Sequence, residues 1–188
     1  VLKQISIDKK LTSNKLGFAY FNDLFIKRHS KLLLKSAKKV AMISAIVIGI
    51  VILIITMNQE LKQEINNIIM TYLPYFVFIM YLINRGESIT RAMFMNSDHS
   101  MLTYAFYRKP TSILNLFKER LKSIILINLL PASIIGIGLS LILYASGGTD
   151  NNLNYLIIFI SIIAISIFFS VHDLVIYYLL QPYNINSE

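Results

Sequence analysis

Four long apolar runs separated by polar connections set the pattern of this chain. Residues 40–57 (VAMISAIVIGIVILIITM) contain no charge, and their length suffices to cross a hydrocarbon core of about 30 Å at about 1.5 Å per residue. Residues 65–83, 124–145 and 153–175 repeat the pattern. Such length excludes a β-strand, and a buried soluble helix seldom has so uniformly apolar a circumference. The pattern predicts an all-α fold: a polytopic transmembrane helix bundle with four spans in this chain, within a transmembrane region 40–188.

The polar segments add amphipathic helices. Residues 1–39 are basic, and LGFAYFNDLFIKRHSKLLLK places Phe18, Phe21 and Phe25 at helical spacing. That spacing fits a helix lying in the headgroup layer before the first span, or an ordinary amphipathic helix packed on protein. The longest polar segment between apolar runs is 85–122. Ile89, Ala92, Met93 and Met95 mark a short amphipathic helix near its start, and NSDHS supplies possible N-caps for another. After a break at Pro110, Ile113, Leu114, Phe117, Leu121 and Ile124 follow a 3.6-residue period into the third span. Lys118, Arg120 and Lys122 are expected at the headgroup boundary, near anionic lipid.

Charge then suggests an orientation. Residues 1–39 carry ten Lys or Arg, the first connection one (Lys62), segment 85–122 seven, and the last connection and the tail none. Alternate sides therefore hold seventeen and one. The bias of cations toward the cytoplasm makes both termini and the 85–122 loop cytoplasmic in a multi-pass protein of the cell membrane.

Features inside the spans refine the picture. Pro74 and Pro131 each remove a backbone donor and predict bends, which serve a substrate path or helix packing. Ala132, Gly136 and Ser140 recur every four residues, a smooth stripe on which another helix can approach closely. His172 and Asp173 fall near the end of the fourth run, where they either line a path or sit at the interface.

Composition agrees with a membrane setting: 55% of residues are hydrophobic, 15% are charged, and mean hydropathy is +0.61. The pI near 9.6 does not point to nucleic acid, because the cations flank apolar runs instead of interleaving with aromatics on one polar domain. There is no cysteine, which removes disulfides, thiolate chemistry and cysteine zinc sites. None of the three histidines has HExxH spacing, and G-x-S-x-G and a Walker A sequence are absent. The chain is therefore expected not to be an enzyme, with no cofactor and no metal of its own.

The runs GESITRAMFMNSDHSMLTYAFYRKPTSILNLFKERL, SVHDLVIYYLLQPYN and LFIKRHSKLLLK together resemble the permease subunits of ABC-2-type exporters from Gram-positive bacteria. The resemblance implies a translocation path for a small molecule, peptide or lipid, a separate P-loop ATPase that holds ATP-Mg, and a second permease copy or homologue. It also implies that the 85–122 loop couples to that ATPase, with Arg91, Phe94, Asp98, Tyr104, Tyr107 and Arg108 as candidate contacts. The same aromatics could instead rest on the bilayer surface. Such permeases have six or more helices, so the four spans and the non-Met start suggest a fragment. A small membrane binding or immunity-type protein, and a transporter component without an ATPase, are the alternatives.

Overall fold

The computed structural model describes residues 12–101 and 103–183. Among the described residues the chain is 88% helical, without strands, and four helices are long and apolar enough to cross a membrane. The first part of the basic segment 1–39 lies outside the described residues. So do the side chains of Leu32, Phe106 and Arg108.

Helix α1 runs unbroken over Gly17–Met57. The amphipathic segment and the first span were expected as separate helices, and they are one. No proline interrupts the stretch, and lysines such as Lys38 and Lys39 are good helix formers. Asn58, extended at φ −127° and ψ 103°, separates α1 from α2 (Gln59–Tyr72). Pro74 then sits in a 3₁₀ turn, Leu73–Tyr75, before α3 (Phe76–Ile83); the ring cannot donate to the α-helical ladder, and the tighter turn takes its place. Segment 85–122 opens with α4 (Gly86–Met93), continues through a π-helical turn (Phe94–Asp98), the single turn α5 (His99–Met101) and a 3₁₀ turn (Ala105–Arg108). Helix α6 (Pro110–Ala145) continues through Pro131, and α7 spans Leu153–Leu180.

The chain divides into two compact units. One comprises 37–84 and 128–168 and holds most of the apolar runs. Its large side chains are turned outward: Met42, Leu53, Phe78, Tyr144 and Phe168 are all at least 60% exposed. In the four apolar windows only 17%, 11%, 50% and 28% of residues are buried. Apolar surface on this scale needs hydrocarbon around it, so the exposure fits lipid contact.

What packs this unit is small residues and a few polar bonds. Gly136 lies against Phe159, whose ring a Cβ would approach at 2.9 Å. Ser140 donates to the Tyr155 carbonyl at 3.0 Å, and Ala132 is fully buried. The stripe Ala132, Gly136, Ser140 thus includes the α6 residues that meet α7. A second glycine, Gly138, faces Ile48 of α1 so closely that any Cβ would overlap it. Gly147 (φ 118°) and Gly148 (φ 77°) end α6 in the left-handed region, and the Gly148 N–H returns to the Leu143 carbonyl at 2.9 Å. Asn66 donates to the Gly148 carbonyl at 2.7 Å, and Asn128 to the Asn84 side-chain oxygen at 2.5 Å.

The other unit gathers the described residues within 1–36, 85–127 and 169–188. Here α1 buries Phe25, His29 and Leu33 on one face. Asn22 on the same helix donates to Ser123 Oγ at 2.8 Å and to the Glu119 carbonyl at 3.2 Å on α6.

Candidate functional site

The second unit has an ionic centre. In α4, Ile89, Thr90 and Met93 are buried while Glu87, Ser88 and Arg91 are exposed, the one-sided pattern of an amphipathic helix. The following π turn changes the register: the His99 N–H reaches back five residues to the Phe94 carbonyl. The wide turn brings Phe94 and Asp98 inward together, at 6% and 1% exposure. A π-helical turn in an otherwise α-helical run often marks a functional position.

Asp98 meets Arg120 of α6, which is 2% exposed. Both guanidinium NH groups donate to the two carboxylate oxygens, one to each. Tyr177 Oη donates to Asp98 Oδ2 as well, and Ser97 Oγ donates to Oδ1 at 2.9 Å. Arg120 also donates to Tyr178 Oη at 3.1 Å and Tyr107 Oη at 3.4 Å. Its guanidinium carbon lies 5.9 Å from the Tyr178 ring centre, within cation–π range. A buried carboxylate or guanidinium alone costs several kcal/mol, and the bidentate pair with hydroxyl partners offsets that cost for both. The cluster fastens the π turn and the 3₁₀ turn of segment 85–122 to α6 and α7.

A cavity of about 390 Å³ adjoins this cluster, lined by Phe94, Asp98, Tyr107, Ile113, Tyr177, Tyr178 and Gln181. Asp98, the one charged group among these lining residues, is already engaged by Arg120, Tyr177 and Ser97. The arrangement is suited to holding segments together. Among the described residues no three His, Cys, Asp or Glu converge as metal ligands.

A smaller cluster surrounds the start of α4. The Asp173 carboxylate of α7 rests against Gly86, where a Cβ would overlap it. His172 Nδ1 is 3.4 Å from Asp173 Oδ1, with its side chain 43% exposed. Tyr183 shares a 2.8 Å hydrogen bond with Thr90 and donates to the Glu87 carbonyl at 3.2 Å. His172 and Asp173 therefore belong with α4 in the polar unit, while Pro74 and Pro131 belong to the apolar one.

The structure sorts the candidate contacts of the loop. Phe94, Asp98 and Tyr107 point into the unit and are not available as partner contacts, because each is 6% exposed or less. Arg91 is exposed and Tyr104 is 58% exposed; the Arg108 side chain is outside the described ones. Arg120, expected at the headgroup boundary with Lys118 and Lys122, is instead buried, whereas both lysines are exposed. Sequence reading missed Arg120 and Tyr177 as partners of Asp98, and Tyr178 as a partner of Arg120. The available signal was register: Leu116, Arg120, Ile124, Ile127 and Pro131 follow steps of three and four along α6, and all are buried.

Burial, opposed in part by Arg120, pushes the Tyr107 hydroxyl well above the usual tyrosine range. Burial raises Tyr183 too, opposed by its hydrogen bond with Thr90. A raised value means that folding favours the protonated hydroxyl. That contribution is complete below about pH 10, the ordinary tyrosine value, and is lost as pH rises beyond it. The melting temperature in detergent should therefore fall above about pH 10 less steeply for Tyr107→Phe than for the parent chain. Asp23 moves the other way: its bond to Lys27, then that to Ser13, holds it down at about 2, so it stays ionised at any physiological pH.

No protein-family model matches this chain, and neither a curated protein nor a solved structure matches it.

Proposed function

We propose that this chain is a membrane-spanning permease subunit of an ABC-type exporter, coupled through segment 85–122 to a separate P-loop ATPase. The observation that carries this reading is the fastening of that segment to α6 and α7 by Asp98, Arg120 and Tyr177. An ATPase that closes on ATP-Mg moves a membrane helix only if the element it pushes is stiff and attached to that helix. A flexible loop would absorb the displacement. Here the π turn carrying Asp98 is held by a doubly hydrogen-bonded ion pair and a tyrosine, which supplies the attachment.

In this reading Arg91 and Tyr104 present the outward face to the ATPase, while Phe94, Asp98 and Tyr107 hold the element from within. The gathering of the N-terminal segment, the 85–122 segment and the end of α7 into one unit supports placing both termini and the loop on one side, the cytoplasm. A second permease copy or homologue completes the path.

The test is co-purification with a P-loop ATPase encoded beside this chain. Arg91→Glu combined with Tyr104→Ala alters two exposed side chains, and is expected to reduce the captured ATPase at least tenfold, about 1.4 kcal/mol or more, without loss of membrane insertion. Full capture by the double variant would count against the placement. Because the chain has no cysteine, Asn96→Cys gives a single label site on the same loop. Labelling of it from outside intact cells would invert the topology and end the proposal.

A further inference from the structure

Helix α1 changes chemistry along one face. At about 100° per residue, Lys27, Arg28, Lys31, Lys35, Lys38 and Lys39 all fall within a sector of about 120°, and all six are exposed. The opposite side carries the buried Phe25, His29 and Leu33. Followed toward the C-terminus, the cationic sector becomes apolar without turning away: Met42, Ile46 and Leu53 lie in the same sector at 60%, 55% and 62% exposure. No acid occurs in α1 after Asp23. A face that meets hydrocarbon over 42–53 meets whatever lies directly above hydrocarbon over 35–39.

We infer that this face is a binding site for the headgroups of anionic phospholipids in the leaflet on the basic side of the membrane. Heights along the helix axis assign the roles. Lys39, Lys38 and Lys35 stand about 1.5, 3 and 7.5 Å before Val40, within a headgroup layer about 5–8 Å thick. Lys31 and Arg28 stand about 13 and 18 Å before it, so they act through the field of the surface over a Debye length of about 8–10 Å. Lys27 is already engaged by Asp23 at 2.8 Å. An acidic protein or a nucleic acid fits less well, since neither explains why the cationic sector continues the lipid-facing one. The inference is independent of the transport reading, because it requires no ATPase.

Spin-labelled lipids test it on the full chain reconstituted in phosphatidylcholine bilayers. Labelled phosphatidylglycerol should be motionally restricted in preference to labelled phosphatidylcholine, by about fivefold for each headgroup held. High salt should shrink that preference toward parity, and inorganic phosphate at equal ionic strength should do no more than chloride. Lys35→Gln/Lys38→Gln/Lys39→Gln should lose the preference, whereas Lys62→Gln, outside this face, should keep it. Should the triple glutamine variant fail to insert, the triple arginine variant and the salt titration of the parent chain decide the matter: retained preference and salt sensitivity support the site. Equal restriction of the two lipids in the parent chain, or an unchanged preference in the inserted glutamine variant, overturns it.

Discussion

Arg120→Leu is expected to lower the stability of the detergent-solubilised chain by about 3–5 kcal/mol, the usual cost of stranding one member of a buried ion pair. Asp98 is 1% exposed and would retain only the Tyr177 and Ser97 hydroxyls as partners. Two hydroxyl bonds do not replace a bidentate guanidinium, so the π turn is expected to open and admit water. Asp98→Asn should be nearly as damaging, because it leaves the guanidinium buried with the Tyr107 and Tyr178 hydroxyls as its partners. The double variant Asp98→Asn/Arg120→Leu removes both charges and should be clearly less damaging than the two single losses added together. Thermal melts of the four proteins give the comparison. Strict additivity would mean that the two side chains contribute independently, and the ionic centre would then have no role as a fastening. Tyr177→Phe, which deletes one hydrogen bond to a charged acceptor, should cost less, about 1.5–3 kcal/mol.

These expectations bear on what the sequence reveals. The spans are legible because the bilayer imposes a local rule: about twenty consecutive apolar residues, whatever the rest of the chain does. The same rule does not say where a helix begins beyond the hydrocarbon, so α1 and α6 extend well past the apolar runs, to Gly17 and Pro110. The ionic centre obeys no local rule. Asp98 and Arg120 are twenty-two positions apart, and a π turn, which no short motif encodes, brings the carboxylate inward. Arg120 was expected at the headgroup boundary because it lies between two lysines, Lys118 and Lys122, that are exposed. Its place on the buried Leu116–Ile124 register was the contrary signal, and composition outweighed it. Phe94 and Tyr107 looked like surface aromatics for the same reason: polar neighbours in sequence do not reveal which face of a short helix is covered by another element.

Gly138 shows the limit of the small-residue stripe. Spacing by four selects Ala132, Gly136 and Ser140 and passes over Gly138, which lies on a different side of α6 and meets Ile48 of α1. Gly138→Val is accordingly expected to destabilise the chain by about 1–3 kcal/mol, the usual cost of forcing extra carbons into a packed contact. The Cβ alone would overlap the Ile48 side chain, whose Cγ1 would lie at 2.8 Å. Ile48 branches at Cβ and has little rotamer freedom in a helix, so α1 and α6 must separate locally. Ile48→Ala removes the obstructing carbons. In the Gly138→Val/Ile48→Ala double variant, volume moves from one helix to the other and most of the lost stability should return, a coupling of about 0.5–3 kcal/mol. Melting of the two single variants and the double variant in the same detergent measures it. If Ile48→Ala brings no recovery, Gly138 is small for some reason other than this contact. Recovery would establish that α1 is packed on α6 through a pair the stripe does not include, with Gly136 free to serve α7 separately.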